Sequence, residues 1–155
     1  MKGIKCIFVG KLKEPWAKAA CKHYSGALSR FQQVEEVIIK DAPGNLPEQE
    51  RRNREGAAII EKAGPGDLVI ALDARGKSMA SEKLAERLGQ WIEDPGRRPC
   101  FIIGGAFGLS DEVLKKADFK LGFGPMTLPH ELARVVLLEQ LYRAHSIIRG
   151  APYHH

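Results

Sequence analysis

Four short apolar runs recur along this chain, each separated from the next by a stretch of helical period. Ile4 to Val9, Val34 to Ile39, Asp67 to Asp73 and Pro99 to Ile103 are of strand length, and most are nearly continuous in apolar residues. Runs of that kind are strands buried on both faces, the pattern of a parallel sheet. The intervening segments predict helices: Pro15 to about Phe31, about Glu48 to Ala63, Ser81 to Ile92, and a short one from Ser110 to Ala117. A fifth short strand near Phe119 to Leu121 precedes the longest helix, Pro129 to about Ile148. Strands alternating with helices throughout predict an α/β fold whose mostly parallel sheet is flanked by helices.

Several details follow from local chemistry. Pro15 sits where a helix opens, and Trp16, Ala19, Ala20, His23, Tyr24, Ala27, Leu28 and Phe31 are expected to form that helix's apolar face. Ser81 and Ser110 are expected as helix caps. Gly64-Pro65-Gly66 stops the second helix, and a turn through Gly76 is expected to end the third strand. Leu132, Val135, Val136, Leu138, Leu141, Tyr142 and Ile147 mark the apolar face of the last helix. Asp41 to Pro47 is a loop, and the one segment inside the chain expected to be mobile.

At 155 residues, 44% hydrophobic and 28% charged, the chain has the size and composition of one globular domain, residues 1–155. No apolar run approaches the roughly 20 residues that span a bilayer, and the N-terminus lacks a signal-peptide pattern, so no membrane partner is expected. Cys6, Cys21 and Cys100 are odd in number and scattered, which points to a reducing cytoplasm and to thiols used as small core residues. A net charge of +5 and a sequence pI near 9.2 hint at a polyanionic partner.

In an open parallel sheet, ligands gather at the carboxyl ends of the strands. Three such ends are distinctive: Leu72-Asp73-Ala74-Arg75-Gly76, Ile103-Gly104-Gly105, and Gly122 to Leu128. The turn Gly104-Gly105-Ala106-Phe107-Gly108 departs from a dinucleotide fingerprint in spacing and position, and lacks the Lys-Ser/Thr of a phosphate-binding loop. Two readings stay open for it: a plain strand-to-helix turn, or close backbone approach to a cofactor without phosphates. His130, His145, His154 and His155 have no metal-ligand spacing, so no metal is expected. Ser110 lacks a nucleophile elbow. Asp73 is a possible base, though an acidic residue closing a strand is more often a turn former.

Taken in order, the motifs resemble the RlmH-type family of ribosomal RNA large-subunit pseudouridine N3-methyltransferases, of the SPOUT class with a deep C-terminal trefoil knot. The resemblance covers the whole chain. It rests on Val9-Gly10-Lys11-Leu12-Lys13-Glu14, Leu72-Asp73 with Gly76-Lys77, Ile103-Gly104-Gly105 with Gly108-Leu109, Met126-Thr127-Leu128-Pro129-His130, Arg134-Val135-Val136-Leu137, Glu139-Gln140-Leu141-Tyr142-Arg143-Ala144, and the closing Tyr153-His154.

That resemblance implies S-adenosylmethionine as methyl donor, held mainly by backbone at Leu72, Gly104 and the segment Phe123-Gly124-Pro125-Met126-Thr127-Leu128. It implies Arg143 to orient the acceptor base or stabilise charge. Tyr153 and His154 are implied for proton handling or stacking, with His130 as a lesser candidate. It further implies a homodimer in which Tyr153 and His154 complete the partner's cofactor site. The implied substrate is N3 of a pseudouridine in the helix 69 loop of 23S rRNA, on the assembled ribosome in the cytoplasm. Two alternatives remain: a SPOUT enzyme acting on another RNA such as tRNA, and a ribosome-binding knot protein without catalysis. Arg51, Arg52, Arg54, Lys11, Lys13 and Lys18 are candidate phosphate contacts, although most basic residues on such a chain are solvated faces.

Overall fold

The computed structural model describes residues 3–154, so the terminal His155 lies outside it. The strands are β1 (Ile4–Val9), β2 (Val34–Ile39), β3 (Asp67–Lys77), β4 (Arg98–Ile103) and β5 (Phe119–Leu121). The helices are α1 (Pro15–Ser29), α2 (Glu48–Lys62), α3 (Ser81–Glu93), α4 (Asp111–Lys116) and α5 (His130–Ile148). The strands form one five-stranded sheet in the order β2-β1-β4-β3-β5, and every pairing is parallel.

Period-two alternation divides the core between the two faces of this sheet. Ile4, Cys6, Phe8, Leu68, Ile70, Phe101 and Ile103 point to one side, where α1, α3 and α5 cover them with Leu28, Leu84, Leu88, Leu137 and Leu141. Ile7, Val9, Val69, Cys100 and Ile102 point to the other, against Ile59 and Ala63 of the α2 segment and Val113 of α4. All three cysteines are free and buried, as expected for thiols used in packing. Burial is the main cause that pushes the Cys100 thiol up to about 12.

The structure corrects three local expectations. On α1 the buried positions are Ala17, Cys21 and Leu28, with Tyr24 half-buried between them. The true stripe is therefore turned about one residue from the expected one, leaving Trp16 half exposed at 50% together with Ala19 and His23. Ser81 does not cap α3; Ala80 holds that position, and the Ser81 hydroxyl donates to Gln140 Oε1 at 2.7 Å, tying α3 to α5. Nor does β3 stop at Asp73. It continues to Lys77 across a break in register, with Leu72 and Lys77 both paired to Leu121. Gly76 makes that approach possible, since a Cβ there would lie 2.7 Å from the Leu121 carbonyl carbon. Ser110 does cap α4, accepting from the Val113 amide at 3.3 Å.

Two contacts fix the start of α5 and so position the loop before it. Arg134 is buried and donates to the carbonyls of Val9 and Gly10, at 3.2 and 2.9 Å, while its guanidinium lies over the Phe8 ring. Glu131 accepts from the amides of Lys13 and Glu14 at 2.7 and 3.1 Å, satisfying donors just ahead of α1. The first turn of α5 is thereby held to the carboxyl end of β1.

At the opposite end of the sheet, Lys5 and Asp67 form a buried ion pair at 2.9 Å. Burial would raise the Asp67 pKa, but hydrogen bonds from Lys5, the Gly64 amide and Arg98 outweigh it and hold the carboxyl below its ordinary value. A depressed folded pKa stabilises the fold above the unfolded value, near pH 4, and that contribution is lost as pH falls through the folded one. Asp67→Ala leaves the Lys5 ammonium buried without its partner. It is expected to destabilise the protein by about 3–5 kcal/mol in urea melts at pH 7. The gap to wild type should narrow below about pH 4. A gap independent of pH would show that the carboxylate charge is not what stabilises this corner.

Candidate active site

The carboxyl ends of β3, β4 and β5 open into a cleft of about 620 Å³. Leu72 and Asp73 come from β3, Ile103 and Gly104 from the end of β4, and Leu121 from β5. The loop from Phe123 to Pro129 forms one wall, and His130 and Ala133 of α5 close the corner. Phe107 and Met126 stand at the mouth, 39% and 81% exposed. Volumes of about 300–1,000 Å³ are usual for small-molecule sites, so the cleft has room for an adenosyl-sized ligand.

Backbone shape, more than side-chain charge, defines this cleft. A Cβ on Gly104 would lie 2.7 Å from the carbonyl carbon and oxygen of Gly108, so the chain folds back on itself with no room for a side chain. Gly108 (φ +81°) and Gly124 (φ +109°) adopt the left-handed region that favours glycine. Among the described residues the only titratable side chains lining the cleft are Asp73 and His130. Asp73 is turned toward Arg75, 3.5 Å from its Nη2. Main-chain amides and carbonyls in an apolar setting can recognise an adenine edge and a neutral ribose without ion pairs.

Of the residues implied for cofactor binding, Leu72, Gly104, Phe123, Gly124, Met126, Thr127 and Leu128 line the cleft. Pro125 lies in the same loop but outside the lining. His130 lines it too. Arg143, Tyr153 and His154 do not. Arg143 is thirteen residues beyond His130 on α5, about 20 Å at the rise of a helix.

Those three instead form a cluster of their own. Arg143 donates two hydrogen bonds to Glu139 Oε1, at 2.9 and 2.6 Å, and its Nη1 lies 3.0 Å from His154 Nδ1. The Tyr153 hydroxyl donates to the same Glu139 oxygen at 3.3 Å. The Tyr153 ring carries the Arg143 guanidinium over its face and packs edge-on against Tyr142. His154 Nε2 lies 2.6 Å from Glu82 of α3. The hydrogen bond to Glu139 raises the Arg143 pKa, so the guanidinium is fixed as a cation. Burial, and then the Glu139 charge, push the Tyr153 phenol up, which suits it to donating or stacking and not to taking a proton.

Sequence reasoning quoted Glu139 within a motif without giving it a role, and did not single out Glu82. Glu139 was legible, because a Glu four residues before an Arg on a helix is a standing pair. Glu82 was not, since 72 residues separate it from His154.

The family described as "Predicted SPOUT methyltransferase" matches residues 1–154. The chain belongs to the SPOUT methyltransferase family. It is 53% identical over 155 residues to the ribosomal RNA large subunit methyltransferase H of Maridesulfovibrio salexigens, covering 100% of this chain and 99% of that one. Its fold is similar to that of a probable methyltransferase from Bordetella pertussis Tohama I, with a TM-score of 0.59 and 13% identity, covering 92% and 95% of the two chains. It is also similar to a ribosomal RNA small subunit methyltransferase E from Neisseria gonorrhoeae solved bound to S-adenosyl methionine, with a TM-score of 0.50, 13% identity, and 91% and 65% coverage. In this SPOUT chain the cleft lies at the carboxyl ends of parallel strands, where open α/β sheets bind ligands. Among the described residues no group of three or more His, Cys, Asp or Glu is arranged to hold a metal ion, and no helix is long and apolar enough to cross a membrane.

Proposed function

We propose that this chain methylates N3 of a pseudouridine in the helix 69 loop of large-subunit rRNA, using S-adenosylmethionine, as a homodimer acting on assembled ribosomes in the cytoplasm. The observation that carries the proposal is the cleft itself: a side-chain-free bend at Gly104 facing the 123–128 loop over three strand ends. The name of the Maridesulfovibrio relative supports the choice of RNA. The deep trefoil knot belongs to the same reading. It is supported by how tightly residues 120–122 pass the 73–76 segment: a Cβ on Gly122 would lie 2.8 Å from the Gly76 carbonyl oxygen.

The residues present fit such a donor. Leu72, Gly104 and the 123–128 segment would hold it, largely through main-chain groups. When bound, S-adenosylmethionine supplies a methyl group on a cationic sulfur, which needs no metal or covalent enzyme intermediate for transfer. What remains for the protein is to place the acceptor nitrogen in line, exclude water and manage the charge that develops on the imide. Arg143, held as a cation by Glu139, suits the stabilisation of that anion, and Tyr153 and His154 suit base packing beside it. His130 stands at the cleft as the first residue of α5.

Because Arg143, Tyr153 and His154 lie away from their own cleft, they serve a second subunit's cleft in this reading. The half-exposed Trp16 on α1 is available to a subunit contact in this reading. The test is incubation of ribosomes lacking the modification with methyl-labelled cofactor, followed by mapping of the labelled nucleotide. Label at N3 of a helix 69 pseudouridine is expected. Label in tRNA instead, or cofactor binding without transfer to any RNA, would reject the proposal.

A further inference from the structure

The three arginines of α2 are not equivalent. Arg52 and Arg54 each find a carboxylate one turn back, Glu48 at 3.9 Å and Glu50 at 3.8 Å. Arg51 has Pro47 at that position. Its guanidinium instead lies over the Phe107 ring, 4.8 Å from the centroid, and its buried Nε has no hydrogen-bond partner among the described residues. Phe107 belongs to the Gly105–Gly108 turn and stands at the mouth of the cleft with more than a third of its surface open. The arrangement fixes one face of a large aromatic side chain with a cation and leaves other parts of the ring in water.

Further basic residues lie toward this end of the sheet. β1 and β4 run parallel with Phe8 opposite Ile103, so the loop after β1, carrying exposed Lys11 and Lys13, leaves the sheet at the same end as the Gly-rich turn. Arg54 of α2 is exposed as well. An aromatic ring backed by a guanidinium, with lysines on a loop at the same end of the sheet, has the elements of single-stranded nucleic acid sites, where bases stack on rings while cations meet the backbone.

We infer that Phe107, with Arg51 behind it, is a stacking platform for an unpaired nucleotide neighbouring the base that enters the cleft, and so sets RNA affinity. The inference rests on the methyltransferase reading above and adds to it a residue that contacts the RNA. Arg51 acts through Phe107 as a positioning residue: it fixes the ring's orientation and adds charge toward the strand.

The test compares Phe107→Ala, Phe107→Trp and Arg51→Ala with wild type in steady-state methyl transfer to unmodified large ribosomal subunits. Calorimetry with S-adenosylmethionine runs alongside. Phe107→Ala is expected to raise KM for the subunits by about tenfold or more, the loss of one base stack. The change in kcat should stay within about twofold, and Phe107→Trp should restore KM. Arg51→Ala should raise KM by a smaller factor without altering cofactor affinity. An unchanged KM, or a loss that appears in cofactor affinity instead, overturns the inference. Anisotropy with a short labelled oligouridylate needs no turnover: Phe107→Ala must bind it about tenfold more weakly than wild type. Equal binding overturns the platform. A wild type that neither binds cofactor nor transfers methyl rejects the underlying reading, while the oligonucleotide result still decides the platform.

Discussion

Gly104→Ala is expected to weaken S-adenosylmethionine binding by at least about 100-fold, nearly 3 kcal/mol. The added carbon would sit 2.7 Å from both the carbonyl carbon and oxygen of Gly108, and 3.0 Å from Leu109 Cδ2. The first two are backbone atoms, so no side-chain rotation relieves the clash. The Gly104–Gly108 turn has to move, taking with it the part of the cleft built from β4. The turn is also braced from within, since the Gly108 amide donates to the Gly105 carbonyl at 3.1 Å. Gly64→Ala makes a suitable control, because a Cβ there meets nothing within 4 Å and the position lies between α2 and β3, away from the cleft. Calorimetric affinity for Gly104→Ala within twofold of wild type would show that this bend is not the cradle.

The parts of the fold that were legible in the sequence are those governed by local pattern. Ile4–Val9 could be bounded from composition alone, because a strand buried on both faces is a continuous apolar run ended by glycine or polar residues. Val34–Ile39 is instead an edge strand, with Glu35 and Glu36 exposed between its apolar residues. The face of α1 was not legible. Alanines and cysteine carry little periodic signal beside Trp16, and what buries Cys21 is the packing of α1 against α5 on the same face of the sheet. Ser81 misled for a related reason: its hydroxyl had a better partner in Gln140, 59 residues away, than in its own helix. The extension of β3 to Lys77 depends on Leu121, and pairing between distant segments leaves no mark on either one.

The site divides along the same line. The bends at Gly104 and Gly124 were readable because glycine and proline punctuate the chain where the backbone must turn tightly. Arg143, Tyr153 and His154 could be named from the motif order, yet nothing in the sequence placed them together on a shared glutamate and away from the cleft. The stack of Arg51 on Phe107 joins residues from two elements and likewise became visible only in three dimensions.

That placement of Arg143 decides which damaged subunits can rescue one another. In a symmetric dimer each active site would combine the cleft of one protomer with the Arg143, Tyr153 and His154 cluster of the other. A Gly104→Ala subunit has a dead cleft and an intact cluster, whereas an Arg143→Ala subunit has the reverse. Each parent homodimer is therefore expected to be inactive. Their heterodimer pairs the intact cleft with the intact cluster at one of its two sites, so purified heterodimer should show about half of wild-type activity, and random mixing about a quarter. Mixing Arg143→Ala with a subunit truncated before Tyr153 should recover nothing, because both lesions fall in the same cluster and every site in the heterodimer contains one of them. Co-expression with two affinity tags isolates the heterodimers, and methyl transfer to unmodified ribosomes reads the result. Recovery in the second mixture would mean that Arg143 works in its own protomer's cleft while the tail crosses over. Recovery in neither would mean that the cluster serves the subunit that carries it, and the contacts from Glu139 and Glu82 would then be holding the tail in a resting position from which it must be released.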